Sequence, residues 1–156
     1  MAEAQSERSR IIKKANIPTG EFRGHAHLRD ADGVMLQIRV IRKGVPSKVF
    51  IDVSKRVGLA QGELAKKLRL SARTMAGRIA KPQTKLKPEE SEKVLRVERI
   101  LEQAIEVFGS LEQAREWLMN PAHGLEGQRP IDLLDTDLGG TQVRGYLGAI
   151  EYGMYW

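Results

Sequence analysis

The chain has 156 residues, a mass of 17.5 kDa and a net charge of +6, a size that suits one compact domain or a small domain with an appended module. It contains no cysteine, which excludes disulfides, thiolate metal sites and a cysteine nucleophile. Its polar start lacks a signal-peptide core and no run of about 18 apolar residues could span a membrane, so we expect a cytoplasmic protein without a membrane partner.

Residues 1–33 are polar and sustain no apolar period, so we interpret them as a flexible N-terminal extension. Val34–Arg42 has spacings that fit a strand or a helix, but Gly44 and Pro46 after it favour a helix. Apolar spacing, N-caps and glycine stops predict further helices over residues 47–57, 60–68, 72–80, 88–108, 111–119, 130–134 and 140–152. The sequence therefore predicts an all-α fold.

Two short helices in the middle of the chain have the apolar spacing of a helix-turn-helix motif. Leu64 and Leu68 of the first helix and Met75 and Ile79 of the second would face a shared core, with Leu70 in the turn. The second helix would then enter a major groove, where we expect contacts from Lys66, Lys67, Ser71, Arg73, Thr74, Arg78 and Lys81. The alternative is an ordinary helical hairpin with a solvated cationic surface.

Two residues depart from the usual form of this motif. Helix-turn-helix turns commonly have glycine where this chain has Arg69, and a left-handed backbone at an arginine would cost about 1 kcal/mol. Gly77 lies inside the second helix and weakens it by about 1 kcal/mol. A packed domain tolerates both costs.

The charges are distributed unevenly along the chain. Residues 1–88 contain 20 basic and 7 acidic side chains, whereas residues 89–156 contain 6 basic and 13 acidic ones. The front half should therefore attract polyanions such as DNA, and the rear half should not. We assign residues 34–87 to a DNA-binding domain and residues 88–156 to a second domain, whose apolar helices would also hold a homodimer with two recognition helices.

The end of the sequence is rich in aromatic residues. Four of the eight aromatic residues lie among the last eleven, and the sequence stops at Tyr155 and Trp156 with a carboxylate. Such an end suits a pocket on another protein. Equally, both rings would fit against the chain's own core.

Several motifs spaced along the chain match one known group of proteins. They are R-K-G-V-P at 42–46, S-A-R-T-M at 71–75, R-P-I-D-L-L-D-T at 129–136 and I-E-Y-G-M-Y at 150–155. In these motifs the sequence resembles the Xre/MbcA/ParS antitoxins, which have an Xre-like helix-turn-helix domain and a C-terminal toxin-binding domain and which partner RES-domain toxins.

The resemblance implies a type II antitoxin that covers the active site of an NAD-degrading RES toxin and binds operator DNA to repress its own operon. Glu151 and the terminal carboxylate would replace the negative charge of the dinucleotide. The toxin-binding residues it implies are Arg129, Glu151, Gly153, Met154, Tyr155 and Trp156. The alternative is a dimeric helix-turn-helix repressor with no toxin partner, which leaves the aromatic end unexplained.

No catalytic or cofactor motif is recognisable in the sequence. Four residues near the start have side chains that can bind a metal: His25, His27, Asp30 and Asp32. They lie in a polar segment that lacks a run of apolar residues to wall off a site, and the remaining histidine, His123, is about a hundred residues away. Asp132, Asp135 and Asp137 are better explained as helix-end and turn residues than as a catalytic pair of carboxylates. We therefore expect neither an enzyme, nor a metal, nor a cofactor.

Overall fold

Helices make up most of the part of the chain that this computed structural model describes, residues 31–154. The elements are α1 (Ala31–Lys43), α2 (Ser47–Val57), α3 (Gln61–Lys67), α4 (Ala72–Ile79), α5 (Pro88–Phe108), α6 (Leu111–Met119) and α7 (Asp137–Glu151), with 3₁₀ turns at His123–Leu125 and Pro130–Leu133. The predicted all-α fold is confirmed. Apart from the first turn of α1, the predicted N-terminal extension lies outside the described residues. Among the described helices, none has the length and apolar content needed to cross a bilayer.

The central helix is α5, against which α1 and α2 pack from the basic half and α6 and α7 from the acidic half. It begins at Pro88, where Glu89 and Glu90 complement the positive end of the helix dipole. It ends at Gly109, whose φ of 88° favours glycine. Six apolar side chains of this helix are buried in one core: Val94, Val97, Ile100, Leu101, Ala104 and Ile105. The apolar side of α5 is therefore buried within the chain rather than left for a second copy.

The predicted helix-turn-helix is formed by α3 and α4, which pack on each other and on α2. Leu64, Leu68 and Met75 are buried, as their spacing predicts. Leu70 and Ile79 are partly buried against the same core. The first turn of α4 is capped by Ser71, whose hydroxyl accepts a hydrogen bond from the Thr74 amide at 3.2 Å. The local geometry of the motif follows from the sequence.

The turn between α3 and α4 has a left-handed residue at Arg69, with a φ of 52°. The Leu70 amide donates to the Ala65 carbonyl at 2.8 Å, and the Arg69 amide donates to the Lys66 carbonyl at 3.1 Å. These two bonds form a Schellman ending, which requires a left-handed residue at this position. The left-handed conformation considered for Arg69 is therefore confirmed.

The C-terminal end of α4 is held by the start of α2. The Ser47 hydroxyl lies 2.9 Å from the Arg78 carbonyl and 3.2 Å from the Lys81 carbonyl, to which it donates. The Lys48 amide donates to the Pro82 carbonyl at 3.0 Å. Because these bonds satisfy carbonyls at the helix end, they fix the position of α4 relative to α2.

Helix α7 begins at Asp137, three residues before its predicted start. The Thr136 hydroxyl accepts a hydrogen bond from the Gly139 amide at 3.0 Å, so it caps an additional first turn that the sequence did not predict. A Cβ on Gly139 would overlap the Leu133 carbonyl, and one on Gly140 would lie 2.7 Å from Arg96 Cδ. Close packing explains both glycines.

Candidate functional site

Five of the seven residues predicted to contact DNA lie on one exposed stretch around α4. Ser71, Arg73 and Thr74 are exposed at its first turn, and Lys66 and Lys81 are exposed before and after the motif. Two lysines of the segment between α4 and α5, Lys85 and Lys87, are exposed as well. We call these seven residues the basic surface. It combines hydroxyls at a helix start with ammonium and guanidinium groups, which are the usual partners of phosphates.

The other two predicted DNA contacts, Lys67 and Arg78, form ion pairs within the chain. Lys67 Nζ lies 2.5 Å from the Asp132 carboxylate, and Arg78 pairs with Glu90. Their side chains are only 19% and 16% exposed. The structure therefore shows these two cations bound to carboxylates of the acidic half.

Further ion pairs join the two halves in the same way. Arg56, only 3% exposed, pairs with Glu98 and lies 2.7 Å from the Glu102 carboxylate. Arg69 Nε lies 2.8 Å from the Asp135 carboxylate. The uneven charge distribution thus has a second consequence, which the sequence interpretation missed: basic residues of the front half neutralise acidic residues of the rear half across the fold.

The R-P-I-D-L-L-D-T motif is anchored by buried and half-buried polar contacts. Arg96 of α5 donates to the Leu134 carbonyl at 3.0 Å, and burial lowers the pKa of its guanidinium against the opposing charges of Glu92 and Asp137. These contacts hold the corner between the second 3₁₀ turn and α7 against the central helix.

Asp132 is held by cations from both halves, since its carboxylate also accepts a hydrogen bond from Arg129 Nε at 2.7 Å. Partial burial alone would raise the pKa of Asp132, but the hydrogen bonds and charges of Lys67 and Arg129 outweigh it and hold that pKa below its ordinary value. Arg129, which the resemblance assigns to toxin binding, remains 47% exposed. It therefore retains surface for an outside partner.

The end of α7 presents an exposed tip, defined here as Glu151, Tyr152, Gly153 and Met154. Tyr152 is 75% exposed and Met154 is 55% exposed. Gly153 turns the chain out of the helix with a φ of 68°. The tip thus combines one carboxylate with two large apolar side chains. The other two predicted toxin-binding residues, Tyr155 and Trp156, lie outside the described residues.

Tyr146, another aromatic residue near the end, packs within the chain. Its ring stacks on Trp117 with centroids 6.2 Å apart, and Trp117 lies 5.5 Å from Phe108. The sequence did not distinguish this internal ring from the exposed Tyr152.

A metal site is not supported within the part of the chain that the structure describes. No group of three His, Asp or Glu side chains between residues 31 and 154 is arranged to hold an ion. His123 is exposed at the start of a 3₁₀ turn. The other candidate cluster lies outside the described part of the chain, since His25, His27 and Asp30 are not described and neither is the side chain of Asp32.

Two family models match the chain in succession. The antitoxin Xre-like helix-turn-helix domain matches residues 36–99, which contain α2, α3, α4 and the first half of α5. The antitoxin Xre/MbcA/ParS C-terminal toxin-binding domain matches residues 103–153, which contain α6, α7 and the exposed tip as far as Gly153. The two matches meet within the central helix.

The chain is also similar to three relatives, each named "Antitoxin Xre". The protein from Photorhabdus laumondii is 24% identical over 74% of this chain and 78% of its own length, and that from Pseudomonas putida is 27% identical over 94% and 83%. The protein from Yersinia enterocolitica is 35% identical over 44% of this chain and 47% of its own. With its helix-turn-helix domain and the toxin-binding domain behind it, the chain belongs to the Xre antitoxin family.

Proposed function

We propose that this antitoxin neutralises a RES-type, NAD-degrading toxin by covering the toxin's active site with its C-terminal segment. The observation that carries the proposal is the exposed tip, where Tyr152 and Met154 protrude at the end of the matched toxin-binding domain. Large side chains that are exposed in a monomer are typical anchors in the pocket of a partner. Glu151 adds a negative charge, which would complement the positive charge expected in a pocket that binds the phosphates of a dinucleotide. Arg129, Gly153, Tyr155 and Trp156 complete the proposed toxin contact.

The second part of the proposal is that the basic surface binds operator DNA and represses the antitoxin's own operon. Ser71, Arg73 and Thr74 at the start of α4 are exposed where a recognition helix reads base edges, and Lys66 and Lys81 flank it for phosphate contacts. The internal ion pairs of Lys67 and Arg78 favour a structural role for these two residues. In this division, residues 34–87 bind DNA and residues 88–156 bind the toxin.

We further propose a homodimer, because a two-fold operator is read by two recognition helices. The sequence suggested the helices of the acidic half as the dimer contact, but the apolar sides of α5 and α6 are buried or partly buried against the chain's own core. Helix α1 offers an alternative, with Val34 45% exposed and Met35 47% exposed on its surface. We propose that the protein is cytoplasmic and that it acts by binding its partners, not by catalysis.

Co-expression with the neighbouring reading frame tests the proposal and its alternative. The neighbour expressed alone should deplete cellular NAD and arrest growth, and this chain should restore both and copurify with the neighbour. A neighbour that is harmless and forms no complex would support the alternative, a dimeric repressor with no toxin partner.

A further inference from the structure

Residues of the toxin-binding domain form ion pairs with the turn of the helix-turn-helix and with the residue before it. Lys67, at the end of α3, pairs with Asp132 at 2.5 Å, and Arg69, in the turn itself, pairs with Asp135 at 2.8 Å. Both carboxylates belong to one short segment that follows Arg129, which we call the acidic segment (residues 130–135). From α5, Lys93 Nζ donates to the Leu68 carbonyl at 2.9 Å.

These contacts act on the part of the motif that sets the angle between its helices. The turn contains a left-handed residue, Arg69, and this backbone conformation favours glycine over every other residue. The Asp135 carboxylate pairs with the side chain of that same residue, which is otherwise 80% exposed. The acidic segment therefore favours the turn geometry that places α4 at the surface.

We propose that Asp132 and Asp135 are positioning residues for DNA binding, so that the toxin-binding domain helps to hold the recognition helix in its DNA-binding orientation. The inference rests on the proposed operator binding. It assigns to the acidic segment a contact with the helix-turn-helix, whereas the resemblance placed the neighbouring Arg129 on the toxin side.

For the effect of removing these aspartates on DNA affinity, the proposal predicts the opposite direction to that expected from net charge alone. Changing an aspartate near the DNA-binding surface to asparagine makes the protein more positive, which by itself tightens binding to the phosphate backbone. If the aspartates position the turn, the same change weakens binding because α4 loses its fixed orientation. The direction of the effect therefore separates the two explanations.

The test is operator binding by Asp132→Asn, Asp135→Asn and the double variant, measured by fluorescence anisotropy at several salt concentrations on a duplex from the antitoxin's own promoter. Each single change should weaken binding about two- to fivefold, the range that one such ion pair can supply. The matched control is Glu116→Gln, which removes one exposed charge of α6 and should leave binding unchanged or slightly tighter. Unchanged or tighter binding by both aspartate variants overturns the proposal.

Amide hydrogen exchange in the absence of DNA gives a second readout. The Arg69 and Leu70 amides should exchange faster in Asp135→Asn, and the swap of Arg69→Asp with Asp135→Arg should restore their protection. A wild-type chain that binds no operator duplex at low salt contradicts the proposed function itself. A wild type that binds, with affinity unchanged or tighter in both aspartate variants, overturns only the positioning role.

Discussion

Arg69 combines an unfavourable backbone conformation with an ion pair, and the two effects can be separated by substitution. Its φ of 52° favours glycine, whereas its pair with Asp135 requires the guanidinium. Arg69→Gly and Arg69→Ala both lose the pair, but only glycine removes the strain. We therefore expect Arg69→Gly to be about 1 kcal/mol more stable than Arg69→Ala in urea unfolding.

The matched control for this comparison is Lys66, an exposed residue inside α3. There the order should reverse, with Lys66→Ala about 1 kcal/mol more stable than Lys66→Gly, because alanine is the better helix former. If Arg69→Ala is as stable as Arg69→Gly, the left-handed turn is wrong.

Asp132 predicts a pH dependence at the same scale. Its pKa is lowered in the folded chain by Lys67 and Arg129, so its ion pairs stabilise the fold at pH values above the ordinary aspartate pKa. That stabilisation is lost as the pH falls through the lowered pKa, where the carboxyl becomes protonated. The free energy of unfolding of the wild type should therefore exceed that of Asp132→Asn at neutral pH, and the difference should vanish in acid. A difference that stays constant down to about pH 2, below the ordinary aspartate pKa, would contradict these pairs.

At the scale of elements, two glycines near α7 should respond in opposite ways to alanine. A Cβ on Gly124 would overlap the ring of Tyr146, whereas a Cβ on Gly145 would have no atom within 4 Å. Gly124→Ala should lower the free energy of unfolding by about 1 to 3 kcal/mol because the ring must move. Gly145→Ala should raise it by about 1 kcal/mol because alanine favours the helix. Urea unfolding of both variants checks this, and a stabilised Gly124→Ala would contradict the packing of Tyr146.

Helices were predictable from the sequence because apolar spacing, caps and glycine stops are local signals. Ser71, Pro88 and Gly109 mark ends that the structure confirms. The start of α7 was missed because the Thr136 cap and the tight packing of Gly139 outweigh the low helix propensity of glycine. The ion pairs of Lys67 and Arg78 were missed because each partner lies on another helix or turn, and outward spacing alone does not show which carboxylate a cation meets.

At the scale of the whole molecule, opposite charges in the two halves have two consequences. Pairs such as Arg56 with Glu102 and Arg69 with Asp135 join the basic half to the acidic half. The cations of the basic surface are exposed where the proposed DNA contact needs them, and the tip at the end of α7 is exposed where the proposed toxin contact needs it. The account therefore predicts that the two binding activities can be lost separately.

Truncation after Tyr152 tests this separation most directly. The shortened chain lacks Gly153 to Trp156 but keeps the basic surface and the described core, so it should bind the operator duplex as tightly as the full chain. In cells that express the toxin, it should fail to prevent the loss of NAD. Full protection of NAD by the shortened chain would contradict the proposed covering of the toxin's active site.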